Sequence, residues 1–332
     1  MGFFNSAIAQ PQSWCVRSDG ASFCWALAAL PVHPIVLASP SMETIGNYKI
    51  CSVVTGWLGL DGGAMFGVVP KVLWSQGTEV DDQNRIRLSM RSLVAVSEIE
   101  HRVVIVDTGA GTKWSEEEAG RYTIDVDPNA IDGALERFGK SRDDVTDVVA
   151  THFHFDHNGG ISEWAGDPGG ATTIVYPNAM HWVHQDHWDS MLKPNDKEKA
   201  SFLARDYDVL KDTDRLMLVG GDQPLESPPG VEWFVSNGHT TGQLLPVFVD
   251  SDHDLELMFV GDAIPTVAHL RVPWVMAYDL YPLTTIAEKK AIYDRVRGRN
   301  THLAFPHDPK VGGARLDLSA SRPIVAAALD LS

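Results

Sequence analysis

The chain is short of cysteine, short of cations and without a long apolar run, and each shortage closes off a class of function. Its three cysteines are Cys15, Cys24 and Cys51. An odd, sparse set lacking CxxC spacing makes neither a disulfide framework nor a zinc knuckle, so small buried thiols in a reducing, cytoplasmic setting are expected. Lys and Arg number 27 against 44 Asp and Glu, a formal charge of −17. A field of that sign repels a phosphate backbone and excludes nucleic acid as a partner. No segment reaches the roughly 18 uninterrupted apolar residues that a membrane helix needs, so no membrane partner is expected. The nearest imitation, Ala21 to Ser39, is broken by Pro31, His33 and Pro34, and the one basic residue before it, Arg17, is soon followed by Asp19. That is a poor signal peptide. There is no G-x-S-x-G elbow, no P-loop and no G-x-G-x-x-G opening a helix, which removes serine hydrolases and nucleotide cofactors.

What remains is the composition of a soluble globular protein: 332 residues, 44% hydrophobic and 21% charged. Residues 1–42 mix proline, serine and short apolar runs with no period. They read as an appendage, either an ordered arm packed on the partner of a homodimer or residues upstream of a natural start at Met42. Residues 43–332 form the expected hydrolase domain. Strands are predicted at Tyr48 to Thr55, Ser92 to Val96 and Val103 to Asp107, the last two as a hairpin. A helix from Ala130 to Phe138 is closed by Gly139, and a strand at Asp147 to Ala150 follows. The second half repeats the alternation. Its strands are predicted near Thr173 to Tyr176, Val231 to Val235, Leu244 to Val249 and Leu255 to Val260, and its helices near Ala179 to Met191 and Lys199 to Leu210. A capping box, Thr285 with Glu288, is expected to open a last helix that runs to about Val296. Strands and helices alternating in two successive halves give an α/β architecture of two mixed sheets between helix layers.

The chemistry is concentrated in Thr151-His152-Phe153-His154-Phe155-Asp156-His157, four metal-competent side chains within six residues, directly after a strand. His152 and His154 point the same way in extended backbone and can share one ion. Asp156 and His157 fall where Asn158-Gly159-Gly160 turns the chain and can face a second. Four ligands are too few for two ions, so more are required downstream. His239, Asp262 and His307 each stand just past a strand, where a rigid scaffold presents catalytic groups. His181, His184 and His187, three apart on a predicted helix, read as a solvated helix face. His101 and His253 read as surface.

This pattern resembles the metallo-β-lactamase superfamily, whose His-x-His-x-Asp-His, Gly-His, Gly-Asp and final His stand at 152–157, 239, 262 and 307. The resemblance implies an αββα sandwich and a dinuclear metal-dependent hydrolase holding two divalent ions, zinc foremost. His152, His154 and His239 would hold one ion, Asp156, His157 and His307 the other, with Asp262 bridging. Asp107-Thr108-Gly109 matches the superfamily's Asp-x-Gly turn, in which the carboxylate orients a ligand imidazole through its far nitrogen.

The run from Asp61 to Trp74, the segment from Trp274 to Thr284 and Pro265-Thr266-Val267-Ala268-His269 are similar to the YtnP-type quorum-quenching lactonase branch. That branch implies opening of N-acyl-homoserine lactones by a hydroxide shared between the metals, with Asp156 passing a proton to the leaving alkoxide and Asp262 holding the ions. Met65, Phe66, His269, Trp274, Met276 and Tyr278 are the candidate substrate pocket. Better-known lactonases carry a tyrosine where this chain has Pro265, which leaves the carbonyl-assisting group open. The alternative on the same site is an organophosphate triesterase or an arylesterase or carboxylesterase. A glyoxalase II-like thioesterase is disfavoured by Gln243, an RNA-cutting member by the acidic surface, and a flavodiiron oxidoreductase by the intact cluster.

Overall fold

The structure, a computed structural model, describes residues 42–319, 322–329 and 331, together with the backbone of 17–18 and 21–22. The chain divides into two compact units, Met1–Ser39 and Pro40–Ser332. Of the first, only a short ladder pairing Arg17–Ser18 with Ala21–Ser22 is described. The rest of the expected appendage, with Cys15 and Cys24, lies outside the described residues.

The second unit is built on two sheets. The first runs in the order Leu216–Val219, Met180–His184, Asp147–Val149, Arg102–Val106, Arg85–Ser97, Tyr48–Asp61, Glu43–Ile45, with Asp125–Val126 added beside Tyr48–Asp61. The second runs Val231–Ser236, Gln243–Asp250, Leu255–Phe259, Asn300–Ala304, Gly313–Asp317, Ile324–Leu329. Strict alternation within the strands explains the layering. Leu93, Ala95, Val104 and Val106 meet Leu244, Phe248, Leu257 and Phe259 between the sheets. Their neighbours Val94, Val96, Val103 and Ile105 turn the other way, onto Ile131, Ala134 and Leu135 of the helix Ala130–Arg137. On the far side, Met258 and Val260 pack on Ile292 and Tyr293 of the helix Pro282–Gly298. Side chains that alternate with period 2 bury both faces of each sheet, which gives the helix, sheet, sheet, helix order.

Three local expectations are corrected. The segment predicted as a helix from Ala179 begins as a strand, Met180–His184, and only Gln185–Leu192 is helical. That strand lies in parallel register between Asp147–Val149 and Leu216–Val219, so His181 and His184 are buried in a central ladder and not on a solvated helix face. The predicted helix Lys199 to Leu210 shrinks to Ala204–Tyr207 and one 3₁₀ turn. The last helix opens earlier than the capping box implied, with Tyr281 as its cap and Pro282 in its first turn, where a missing N–H costs nothing. Glu288 is thereby freed for another task, described below.

Lys289 of this helix is fully buried and donates to the carbonyls of Arg271 and Trp274, both at 2.8 Å. Burial, against the pull of Asp279, brings its ammonium down to about 7. A group depressed in the folded state adds stability above its unfolded value, near 10.4, and loses it as pH falls towards the folded one. Thermal midpoints are therefore expected to gain a rising component between about pH 7 and about pH 10, and Lys289→Met to flatten it. A wild-type and variant pair with identical pH slopes would contradict this.

No helix among the described residues is long and apolar enough to cross a membrane.

Candidate metal centre

Register places the far-flung residues. Leu255–Phe259 and Asn300–Ala304 are parallel, with Phe259 opposite Ala304, so Asp262 and His307 each emerge three residues beyond one hydrogen-bonded pair. In the other sheet Val106 lies opposite Val149, which brings Asp107 out beside the loop that carries His152. The N–H of Leu244 donates to the Thr151 carbonyl at 3.0 Å and ties the two sheets together at this edge. Two glycines permit the approach of the loops. A Cβ on Gly238 would stand 2.4 Å from the backbone nitrogen of Thr285, and Gly261 has a positive φ of 44°.

All seven predicted side chains converge and are buried. Ligand atoms of His152, His154, His239 and Asp262 lie within 4.8 Å of one another, as do those of Asp156, His157 and His307. Asp262 faces both groups: Oδ1 is 3.2 Å from His157 Nε2 and 3.1 Å from His307 Nε2, while Oδ2 is 3.3 Å from His239 Nε2. Asp156 Oδ2 is 3.6 Å from His307 Nε2.

The outward nitrogens are held by partners that decide which inward ones are bare. His157 Nδ1 donates to Asp107 Oδ2 at 2.9 Å, His239 Nδ1 to Asp279 Oδ1 at 3.0 Å and His307 Nδ1 to the Ser89 carbonyl at 2.7 Å. His154 differs: its Nε2 is buried without a hydrogen-bond partner, 3.5 Å from Glu198 Oε1, and its Nδ1 turns inward. His152 Nδ1 lies 3.0 Å from the Thr151 hydroxyl, which itself donates to Asp107 at 2.8 Å. The consequence is a set of lone pairs aimed at one another. His154 Nδ1 and His239 Nε2 are 3.1 Å apart, His157 Nε2 and His307 Nε2 are 3.0 Å apart, and His152 Nε2 and Asp262 Oδ1 are buried without a hydrogen-bond partner. Lone pairs packed this closely need positive charge between them, and imidazoles with carboxylates form a donor set suited to divalent ions such as zinc. The residues fit a pair of cations.

Electrostatics point the same way. Burial, then the neighbouring His157 and His154, holds His152 well below its ordinary value. Burial also acts to lower His157, but the carboxylates of Asp262, Asp156 and Asp107 overrule it and raise that imidazole well above normal. Burial would raise Asp262, yet His157, His307 and His239 pull it far below the carboxylate range.

Sequence reasoning missed most of the supporting shell. Glu198, in the polar stretch Asn195-Asp196-Lys197-Glu198, is buried; it accepts from Thr240 Oγ1 at 2.5 Å and Asn195 Nδ2 at 2.8 Å while facing His154. Glu288 accepts from Ser236 Oγ and from the backbone N–H of Asn237, both at 2.7 Å, and so fixes the turn that delivers His239. His187 Nε2 accepts from the Phe153 N–H at 2.8 Å, and Nδ1 donates to the Thr241 carbonyl at 2.9 Å, bracing the cluster from behind. Lys113, buried against Asp206 at 3.2 Å, donates to the carbonyls of Gly159 and Ser162, just beyond His157. Glu198→Gln is expected to weaken metal retention by about 10-fold to 100-fold, the usual weight of such a partner, read by competition with a chelator. Unchanged retention would assign Glu198 to packing alone.

The expected substrate pocket separates. Met65, Phe66 and Met276 are 1%, 2% and 2% exposed and belong to a core with Leu58, Leu88 and Met90. His269 is locked there too, with Nε2 2.8 Å from the Met65 carbonyl and its ring stacked on Phe66. Trp274 packs edge-on against Phe66. Only Tyr278 is exposed, at 37%, and burial together with Asp156 and Asp61 pushes its phenol up to about 12.

The family model of the metallo-beta-lactamase superfamily matches residues 91–318. The chain belongs to the metallo-beta-lactamase superfamily. Its two side-chain clusters are candidate sites for divalent ions. A solved probable metal-dependent hydrolase from Staphylococcus aureus is 28% identical with a TM-score of 0.73, covering 86% of this chain and 100% of that one. AidC, a dizinc quorum-quenching lactonase solved with a product, shares the fold at 17% identity and a TM-score of 0.67, over 87% of this chain and 98% of its own. The N-acyl homoserine lactonase AiiA of Bacillus thuringiensis subsp. kurstaki is 22% identical over 185 residues, 55% of this chain. The chain thus spans 64% of that relative's length, just under two thirds.

Proposed function

We propose that this metallo-beta-lactamase-fold enzyme opens lactone rings, with N-acyl-homoserine lactones as its substrates and zinc as its metal. The observation that carries the metal arrangement is the division of Asp262, one carboxylate oxygen towards His157 and His307 and the other towards His239. His152, His154 and His239 would hold one ion and Asp156, His157 and His307 the second, with Asp262 facing both groups. When bound, such a pair lowers the pKa of water towards neutrality and polarises a carbonyl.

The protein's own groups do the rest. Asp107, Glu198 and Asp279 keep the imidazoles in the tautomers that leave their inward nitrogens bare. Asp156 takes up the proton that the attacking water gives up and passes it to the leaving alkoxide. Pro265, which replaces the tyrosine of better-known lactonases, gives its carbonyl to the His307 N–H at 3.0 Å. Tyr278 takes over the hydrogen bond to the lactone carbonyl, since its phenol is exposed and within the field of Asp156. The similarity to the Bacillus lactonases supports the substrate class.

The test is a turnover panel of homoserine lactones of several chain lengths, a paraoxon-like triester, nitrophenyl esters and a β-lactam, run on wild type and Tyr278→Phe. Lactones are expected to lead, with the variant losing about 10²-fold to 10³-fold in kcat on lactones. Preference for the triester or the aryl esters would replace this reading with the esterase one.

A further inference from the structure

A cleft of about 720 Å³, within the size range of small-molecule sites, is walled by residues 76–79, 86–88, 266–268 and 308–311, and none of the seven candidate ligands lines it. Its floor is aromatic and aliphatic: Trp57, Trp74, Trp274, Phe66, Leu88 and Leu270. Its rim carries four cations, Arg87, Arg271, Lys310 and Arg322. In a chain of net charge −17 this is a local reversal of sign.

Among the described residues these cations have no carboxylate partner. The Arg87 guanidinium lies 3.9 Å from the centre of the Trp57 ring and that of Arg271 lies 4.3 Å from Trp274, each against a wall, with no side-chain hydrogen bond to another described residue. Ion pairs among the described residues fall elsewhere, on Arg85, Arg142 and Arg295 for example, and none engages these four. Of the two lining acids, Asp308 is turned into the backbone, accepting from the N–H groups of Val267, Lys310 and Val311 at 2.8–2.9 Å. Glu79 is the other lining acid, and among the described residues no ion pair joins it to these four cations. Indole walls ask for an apolar body, and guanidinium edges ask for a planar oxyanion.

We propose that this cleft binds an amphiphilic carboxylate, an unbranched acyl chain laid over Trp57, Trp74 and Trp274 with its head group at Arg87, Arg271, Lys310 and Arg322. The site is separate from the metal centre, though the segments 266–271 and 308–311 that wall it follow Asp262 and His307 in the chain. The proposal does not depend on which ester the metal centre hydrolyses.

Calorimetric titration of the full metal-loaded chain with decanoate, decanol and decyltrimethylammonium, all below their micelle thresholds, tests it. Quenching of indole fluorescence by bromodecanoate locates the chain. Decanoate is expected to bind saturably, with quenching, and about tenfold or more tighter than either analogue, the weight of one charge-assisted contact. The double variant Lys310→Glu, Arg322→Glu changes exposed side chains and is expected to cost about tenfold or more in that affinity. Chelation of the metals is expected to leave the titration intact. Equal binding of decanol, an unaffected double variant, loss of binding on chelation, or no saturable binding would each overturn the assignment.

Discussion

Asp262→Ala is expected to reduce turnover by about 10³-fold or more, a barrier increase of roughly 4 kcal/mol, and to leave the protein with less than its full complement of metal. The carboxylate faces both clusters, at 3.1–3.3 Å from three imidazole nitrogens. Removing it takes away the negative charge that lets two cations sit close together, and leaves the two cations to repel each other across His157, His239 and His307. Asp262→Asn keeps the shape and loses the charge, so it separates the two effects: electrostatics predicts that it fails almost as badly. Steady-state kinetics and elemental analysis on the same preparations decide. Two full equivalents of metal with near-native turnover in the alanine variant would refute the shared-carboxylate arrangement.

The second large effect is on folding. Asp107 has a positive φ of 54° and is buried, and its carboxylate accepts from four donors: Thr151 N and Oγ1 at 2.8 Å, His157 Nδ1 at 2.9 Å and Asn158 Nδ2 at 2.7 Å. Asp107→Ala strands these donors in an interior where each lost acceptor costs about 1–3 kcal/mol. Through the Thr151 hydroxyl it also frees His152, so two ligands lose their orientation at once. A loss of about 3–5 kcal/mol is expected, a large part of the stability of an ordinary domain. Denaturant unfolding measures it, and chelator competition on the folded fraction measures the accompanying loss of metal retention. A drop below about 1 kcal/mol would show that water replaces the carboxylate freely.

The hydrogen-bonded core of this site was readable only in part from the chain. Within the cluster at 152–157, spacing and residue type speak directly, because so many histidines and an aspartate in six positions have few other uses. His239, Asp262 and His307 could be sought because the cluster demanded further ligands and each follows an apolar strand. Glu198 and Asp279 carry no such signal, since one sits in a lysine-rich polar stretch and the other between two tyrosine-bearing turns, where acidic residues usually meet water. Their role exists only once Thr240 and His239 have been folded against them. The strand Tyr48–Asp61 outran its predicted end at Thr55 because Gly56 and Gly59 look like punctuation, whereas a register shift between Val54 and Gly56 carries the ladder through them. The segment at 180–184 misled for the opposite reason. Its histidines and tryptophan recur with helical spacing, but parallel neighbours on both sides impose an extended backbone. Thr285 and Glu288 have the spacing of a cap, and Glu288 spends its carboxylate on the turn before His239 instead.

His152 to His157 follow a strand of one sheet, while His239, Asp262 and His307 follow strands of the other. Neither half of the molecule can assemble a complete ligand set alone, so a bound ion rivets the two layers face to face. Cation release then loosens the seam along that edge before it loosens either layer, and amide exchange around Thr151 and Leu244 would register the opening first.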